Sequence, residues 1–178
     1  MDDEIRRIDR TLVHKGKIID YYVDTMELPD GKQVEWDFIQ HNGAAAVIPV
    51  TEDGRILMVS QYRNALERYT LEIPAGGLNP GEATVLAAAR ELEEETGYAS
   101  DSLELLLTIR TTVAFCDEKI DIYVARSLVK THQHLDEDEY LNVEAHTVEE
   151  LEQLIFSRKI EDSKTIAALM AYKVKYGI

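Results

Sequence analysis

The chain has little cysteine, few cations and no long apolar segment. Its single cysteine, Cys116, excludes an intramolecular disulfide and is typical of a protein from a reducing compartment. No apolar run approaches the roughly 18 residues of a membrane span, and residues 2–4 are acidic where a secretory signal is basic. We therefore expect a cytoplasmic protein that has no membrane partner.

Positive charge is scarce as well. The chain carries 19 Lys and Arg against 34 Asp and Glu, which gives a formal net charge of −15. A field of this sign repels nucleic-acid phosphates and anionic lipid, so we expect no nucleic-acid partner. A substrate that itself contains phosphate would require bound cations or a local arginine cluster.

Hydrophobic periodicity and turn residues divide the 178 residues into many strands and three helices. The length fits one compact domain, or one domain with a small appended element. The predicted strands are 11–28, 33–39, 44–50, 56–59, 70–73, 103–113, 119–128 and 141–147, and the predicted helices are 83–96, 148–157 and 163–175. The order predicts an α+β fold with a mixed sheet, preceded by antiparallel hairpin strands.

Three carboxylates stand close together on the first predicted helix. At helical spacing Glu91, Glu94 and Glu95 share one face of about 100°, and we expect Glu95 at its solvent-facing edge. Such crowding of like charges favours a site for Mg²⁺, which prefers carboxylate and carbonyl oxygens. A solvated helix face is the alternative interpretation of such a run taken alone.

A longer pattern of residues around this helix favours the metal site over the solvated face. The residues that form the pattern are Gly76, Glu82, Arg90, Glu91, Leu92, Glu94, Glu95, Gly97 and Tyr98. The segment resembles the Nudix box, G-x5-E-x7-R-E-U-x-E-E-x-G-U with U apolar, and matches every defined position. The resemblance implies a three-layer α/β/α sandwich, hydrolysis of a nucleoside diphosphate linked to another group, and Mg²⁺ or Mn²⁺ as cofactor.

The resemblance also implies a role for each charged residue of the box. Glu91, Glu94 and Glu95 are expected to bind the metal, and Glu94 is counted with the catalytic residues. Arg90, also counted as catalytic, is expected to orient a metal-binding glutamate. Glu82 is expected to play a lesser, supporting part.

Residues that flank the box narrow the resemblance to the ADP-ribose pyrophosphatase branch. Gln61-Tyr62-Arg63 and the segment 71–76, Leu-Glu-Ile-Pro-Ala-Gly, are similar to its Q-Y-R and E-x-P-A-G patterns. The branch implies that the Ala75 carbonyl is a metal ligand. It also implies a homodimer in which an N-terminal strand region, 1–42, is exchanged between subunits, followed by a Nudix domain over 43–178.

One loop departs from the branch. After the box the branch has S-P-G-F-x-D-E, whereas this chain has Thr112-Val113-Ala114-Phe115-Cys116-Asp117-Glu118, without the Pro and the Gly. That loop helps to fit the substrate in relatives, so strict specificity for ADP-ribose does not follow.

The remaining candidate residues have competing interpretations. Glu137 is predicted to be the catalytic base by resemblance, with Glu139 as the alternative in the same acidic loop. Trp36 is predicted to stack on the substrate base, or else to belong to the core or a dimer interface. Arg63 is predicted to contact phosphate, or else to form a surface ion pair. Glu72 and Glu118 complete the predicted substrate-binding set.

The leading interpretation is a metal-dependent pyrophosphatase. Its expected substrate is ADP-ribose or a related nucleoside diphosphate sugar, and its expected products are a nucleoside monophosphate and a sugar phosphate. A Nudix enzyme with another specificity, such as a GDP-sugar or a dinucleotide, is the nearer alternative. A catalytically silent Nudix domain that senses a ligand is the more distant one, and the intact glutamate set argues against it.

Overall fold

The computed structural model of the protein describes residues 4–135 and 140–178. These residues fall into two units. The first holds the chain up to Gly43 together with Arg110–Lys119, and the second holds Ala44–Ile109 and Ile120–Ile178. Across the described ranges, no helix is long and apolar enough to cross a bilayer.

The predicted elements occur in the predicted order, together with three short strands, Ala75–Gly77, Tyr98–Ala99 and Val129–Lys130, that the sequence pattern does not predict. In chain order the elements are β1 (Arg6–Lys15), β2 (Ile19–Glu27), β3 (Gln33–His41), β4 (Ala44–Pro49), β5 (Ile56–Arg63), β6 (Arg68–Glu72), β7 (Ala75–Gly77), α1 (Thr84–Thr96), β8 (Tyr98–Ala99), β9 (Ser102–Arg110), β10 (Lys119–Arg126), β11 (Val129–Lys130), β12 (Leu141–His146), α2 (Val148–Phe156) and α3 (Ser163–Tyr176).

The first unit is built on an antiparallel sheet in the order β1-β2-β3. The prediction of one continuous strand over 11–28 is wrong, because the chain turns at Gly16, whose amide donates to the Ile19 carbonyl at 3.0 Å. Strand-forming residues lie on both sides of this turn, so periodicity alone does not mark it. The predicted turn after Leu28 is present, with Gly31 at a φ of 80°.

The second unit contains the mixed sheet, in the order β7-β4-β10-β9. Strand β4 runs parallel to β10 and antiparallel to β7. A second sheet, β12-β5-β6, is antiparallel.

Alternate residues of β4 face the two helical layers. Ala45 and Val47 lie in the apolar clusters that contain Ala87, Ala88 and Leu92 of α1. On the opposite face, Ala44, Ala46 and Ile48 belong to the cluster that contains Leu151 of α2 and Leu169 of α3. Because β4 is buried on both sides, it reads as a continuous apolar run rather than an alternating one. The arrangement is the predicted α/β/α sandwich.

Local signals explain where the helices begin and end. Gly97 ends α1 in the left-handed conformation, with a φ of 71°. Thr147 and Glu150 form a capping box at the start of α2. Asp162 caps α3 by accepting from the Thr165 amide.

Candidate active site

The predicted glutamate helix lies against a short strand of the mixed sheet. Strand β7 pairs with β4 through Ala75↔Ala46, Gly76↔Ala45 and Gly77↔Ala44. A Cβ atom built on Gly76 would lie within 2.5 Å of the Glu91 carboxylate atoms, whereas one built on Gly77 would meet nothing within 4 Å. Only glycine at position 76 therefore lets the strand approach the helix with the Glu91 carboxylate between them.

Arg90 is the centre of the charged cluster on α1. Its Nη1 donates to Glu91 Oε1 at 2.6 Å and to Glu94 Oε2 at 2.8 Å. Its other nitrogens reach Glu82, with Nε to Oε1 at 3.0 Å, and the Gly77 carbonyl, with Nη2 to O at 3.0 Å. The predicted orienting role of Arg90 and the supporting role of Glu82 are therefore compatible with one hydrogen-bonded network.

This network fixes the charge states at its centre. The hydrogen bond to Glu82 raises the pKa of Arg90 above its ordinary value, against the opposing effect of burial, and the charge of Glu91 raises it further. The hydrogen bond from Arg90 lowers the pKa of Glu82 in turn, assisted by the Asn79 amide. Arg90 is a permanent cation that holds two of the three predicted metal-binding glutamates.

Glu95 is buried, with 2% of its surface exposed. Its Oε2 accepts a hydrogen bond from the Ala75 amide at 3.0 Å. The expectation that Glu95 lies at the solvent-facing edge of the helix is wrong, because this edge of α1 is covered by the strand that begins at Ala75. Glu91 is buried too, at 7% exposure, so a simply solvated face is also wrong.

The donor set fits a hard divalent cation in kind. Glu91, Glu94 and Glu95 offer only oxygen as ligand atoms, and oxygen is the ligand atom that Mg²⁺ and Mn²⁺ prefer. Within 4–135 and 140–178, no three His, Cys, Asp or Glu side chains converge closely enough to hold a metal ion as they stand. In this arrangement Arg90 Nη1 bridges Glu91 and Glu94.

A second charged cluster lies at the end of β6. Glu72, 2% exposed, accepts from Arg63 Nε at 2.8 Å and Nη2 at 2.7 Å, from Thr70 Oγ1 at 2.5 Å, and from Lys164 Nζ. Burial by itself raises the pKa of Glu72, but the hydrogen bond from Arg63 and the charge of Lys164 outweigh it and lower the pKa to about 2. The stabilisation from this lowered pKa is complete above the ordinary value of 4.5 and is lost only as the pH falls towards 2.

The family follows from one comparison. The NUDIX domain model matches residues 40–169. The chain belongs to the Nudix family.

Relatives match the chain over nearly its whole length. It is 40% identical to the ADP-ribose pyrophosphatase of Bacillus subtilis, over 98% of this chain and 96% of that protein. It is 41% identical to the methanol dehydrogenase activator of Bacillus methanolicus, with the same coverage. An ADP-ribose pyrophosphatase of Mycobacterium tuberculosis is 30% identical over 96% of this chain and 84% of that protein. The predicted resemblance to the ADP-ribose pyrophosphatases is confirmed.

A solved structure shares the fold. The crystal structure of an ADP compounds hydrolase superposes with a TM-score of 0.86 over 96% of this chain and 92% of that one, at 22% identity. The predicted Nudix-like α+β sandwich is confirmed.

The predicted substrate-binding residues of this Nudix protein lie in both units. Arg63 and Glu72 form the bidentate pair of the second unit. Trp36 and Glu118 belong to the first unit, where Trp36 is 46% exposed on β3 and Glu118 accepts from Thr111 Oγ1 at 2.6 Å. A core position for Trp36 is therefore wrong. The proposed bases Glu137 and Glu139 lie outside the described residues.

The sequence did not single out Lys164 or Thr165. Both lie in the first turn of α3 and contact residues 92 positions earlier in the chain, Lys164 bonding to Glu72 at the end of β6 and Thr165 to Ile73 directly after it. The one local signal is Asp162, a helix-capping residue placed just before them. No spacing rule connects a cap near the end of the chain to a strand that precedes the Nudix box.

Proposed function

We propose that this Nudix enzyme hydrolyses the pyrophosphate bond of ADP-ribose or a related nucleoside diphosphate sugar, and releases a nucleoside monophosphate and a sugar phosphate. The observation that carries the proposal is the intact glutamate set of α1, ordered by Arg90 and by the Ala75 amide. The relatives named ADP-ribose pyrophosphatase support the substrate class.

The residues of the chain prepare the site for a diphosphate. Arg90 holds the Glu91 and Glu94 carboxylates side by side, and the Ala75 amide orients Glu95. Bound to the Ala75 carbonyl, Glu91, Glu94 and Glu95, Mg²⁺ or Mn²⁺ would offset the charge of the diphosphate and polarise the phosphorus under attack. Ordered carboxylates lower the entropic cost of assembling such a site.

Arg63 is the proposed phosphate contact. Its hydrogen bonds to described residues come only from Nε and Nη2, and both go to Glu72. The Arg63 side chain is 40% exposed. With this edge anchored, Nη1 is held in one orientation and can donate hydrogen bonds to a phosphate oxygen. Glu72 thus acts on the substrate through Arg63.

The attacking water requires a base, for which we propose Glu137, with Glu139 as the alternative. The substitution Glu→Gln keeps the shape of either side chain and removes its basicity. The variant of the true base is expected to lose turnover with little change in KM. Two mild phenotypes would exclude a base from this loop.

A substrate panel tests the proposed function. The enzyme with Mg²⁺ is incubated with ADP-ribose, a GDP-sugar and a dinucleotide, and a phosphatase then releases phosphate from monoester products only. Release of phosphate from ADP-ribose supports the proposal. Release from the GDP-sugar or the dinucleotide alone would mean that the enzyme hydrolyses that substrate instead. No phosphate from any member, with the protein folded, would favour a silent ligand-sensing module.

Activation of a dehydrogenase is a second candidate, since the methanol dehydrogenase activator is 41% identical over the same length. One assay separates the two functions. The wild-type protein and a variant that cannot hydrolyse ADP-ribose are each added to a methanol dehydrogenase, and the dehydrogenase activity is measured. Activation that survives the loss of hydrolysis would establish the second function independently.

Trp36 tests whether a base is bound by stacking. If its exposed indole stacks on adenine, Trp36→Ala should raise KM for ADP-ribose roughly 5- to 150-fold, which corresponds to a stacking contribution of about 1–3 kcal/mol. Turnover at saturation should survive. Phe156→Ala is the matched control, because Phe156 is a 74% exposed aromatic at the end of α2. An unchanged KM with dissociation of a dimer would assign Trp36 to the subunit interface.

We also propose that the enzyme is a cytoplasmic homodimer. In this dimer the two subunits exchange their N-terminal strand regions, 1–42, and each subunit keeps its own Nudix domain, 43–178. Exposed apolar residues on β1 support a covering partner, among them Ile8, Leu12 and Val13 at 42–55% exposure. Light scattering of the wild-type protein and of a Leu12→Asp variant would measure the subunit number.

A further inference from the structure

Side chains in the first turn of α3 form hydrogen bonds with Glu72 and Ile73, which come shortly before Ala75 in the chain. Thr165 Oγ1 accepts from the Ile73 amide at 3.0 Å, and Lys164 Nζ donates to Glu72 Oε2. Both residues are buried, with Thr165 at 0% and Lys164 at 8% exposure. Ile73 is two residues before Ala75, whose carbonyl is the proposed metal ligand.

The capping residue of α3 belongs to the same cluster. Asp162 Oδ2 accepts from the Thr165 amide at 3.0 Å, from Thr165 Oγ1 at 2.6 Å and from Lys164 Nζ at 2.9 Å. The first of these bonds is sufficient to cap the helix. A buried lysine adds a desolvation cost that helix capping does not require, so the additional contacts point to a role outside α3.

Each residue of segment 72–75 forms a hydrogen bond with another element of the fold. Glu72 and Ile73 are held by α3, the Pro74 carbonyl accepts from the Val47 amide of β4 at 2.9 Å, and the Ala75 amide donates to Glu95 of α1 at 3.0 Å. The backbone that presents the Ala75 carbonyl is thus fixed on one side by the glutamate helix and on the other by α3.

We propose that Lys164 and Thr165 are positioning residues of the active site. Thr165 sets the backbone that carries the Ala75 carbonyl, and Lys164 sets the Glu72 carboxylate that orients Arg63. The inference rests on the proposed function for its connection to the substrate. The alternative is that both residues only stabilise the packing of α3.

The test of Thr165 compares Thr165→Val with Thr165→Ser. Valine keeps the volume and removes the acceptor of the Ile73 amide, whereas serine keeps the hydroxyl. The Mg²⁺ concentration for half-maximal activity should rise about fivefold or more in Thr165→Val and return towards the wild-type value in Thr165→Ser. The rise in melting temperature on adding Mg²⁺ without substrate should shrink in the valine variant alone.

Thr108→Val is the control, because it removes a hydroxyl that donates to Asp121 Oδ1 at 2.7 Å rather than one that bonds to segment 72–75. It should lower the melting temperature while leaving the Mg²⁺ dependence unchanged. If Thr165→Val behaves like this control, the positioning role is wrong and Thr165 is structural. A wild-type protein whose melting temperature does not respond to Mg²⁺ would also overturn the inference.

Lys164→Met gives a second readout, with Lys164→Arg as the conservative variant. Loss of the ammonium removes one donor from Glu72, so Arg63 loses its fixed orientation. KM for ADP-ribose should rise about fivefold or more, kcat should change less, and arginine should restore much of the KM. Equal KM values in folded Lys164→Met and wild type would refute the role of Lys164. If the wild type hydrolyses nothing, the proposed function fails, and the Mg²⁺ melting shifts of the Thr165 variants still decide the inference.

Discussion

Replacing Gly76 by alanine is expected to lower kcat/KM roughly 10²-fold or more, whereas Gly77→Ala leaves it within about twofold. The added methyl group at position 76 would overlap the Glu91 carboxylate, and the one at position 77 enters open space. Because that carboxylate ends a flexible side chain, it can swing away from the strand. We therefore expect a small change in melting temperature and a large loss of activity.

The loss has a definite physical origin. A displaced Glu91 carboxylate gives up the 2.6 Å hydrogen bond from Arg90 and leaves the set that is proposed to bind metal. Steady-state kinetics over a Mg²⁺ titration, with thermal melts of both variants, measure the two effects separately. Similar activities of Gly76→Ala and Gly77→Ala would mean that the position of Glu91 does not matter for turnover. An unfolded Gly76→Ala would mean that the helix, rather than the side chain, is displaced.

Local patterns were sufficient to predict most of the second unit. The composition of the segment and Gly97 predict a helix over 83–96, and α1 spans Thr84–Thr96. The same local reasoning failed at Gly16, because the strand-forming pattern continues on both sides of the turn. The burial of Glu95 could not be read from α1 alone, since it depends on β7, a three-residue strand made of Ala-Gly-Gly. Such a short segment has no periodicity to detect.

Whether a charged contact of the site can be predicted also depends on how far apart its residues are in the chain. Arg90, Glu91 and Glu94 are neighbours on one helix, so their cluster follows from helical geometry. Lys164 and Glu72 are 92 residues apart and meet only because the first turn of α3 lies next to the end of β6. Sequence spacing predicts the contacts within one helix and does not predict a contact between residues far apart in the chain.

The scarcity of cations bears on how a diphosphate is attracted. A substrate phosphate must overcome a chain of net charge −15. Of the described cations at the site, Arg90 faces Glu82, Glu91 and Glu94, Arg63 faces Glu72, and Lys164 faces Glu72 and Asp162. Their positive charge is therefore largely balanced by carboxylates. This balance supports the proposal that a divalent cation supplies the attraction, with Arg63 contributing direction more than charge.

Replacing Glu95 by glutamine is expected to lower kcat roughly 10²- to 10³-fold, since metal assistance contributes several kcal/mol to such transition states. Glutamine has the shape of glutamate, and its amide oxygen can still accept from the Ala75 amide, so the fold should be kept. A neutral amide binds a hard cation more weakly than a carboxylate does. Glu93→Gln is the matched control, because it makes the same change on the same helix at a half-buried position outside the glutamate face.

The measurement combines kcat at saturating Mg²⁺ with the melting temperature of each variant in the presence and absence of Mg²⁺. Glu93→Gln should resemble the wild type in both. Glu95→Gln should melt near the wild-type temperature without Mg²⁺ and lose much of the increase that Mg²⁺ produces. If it instead keeps more than about a tenth of the wild-type kcat, the carboxylate contributes less than ~1.4 kcal/mol to the barrier. Glu95 would then be a structural acceptor for Ala75, and the metal would have to be held by the remaining carboxylates.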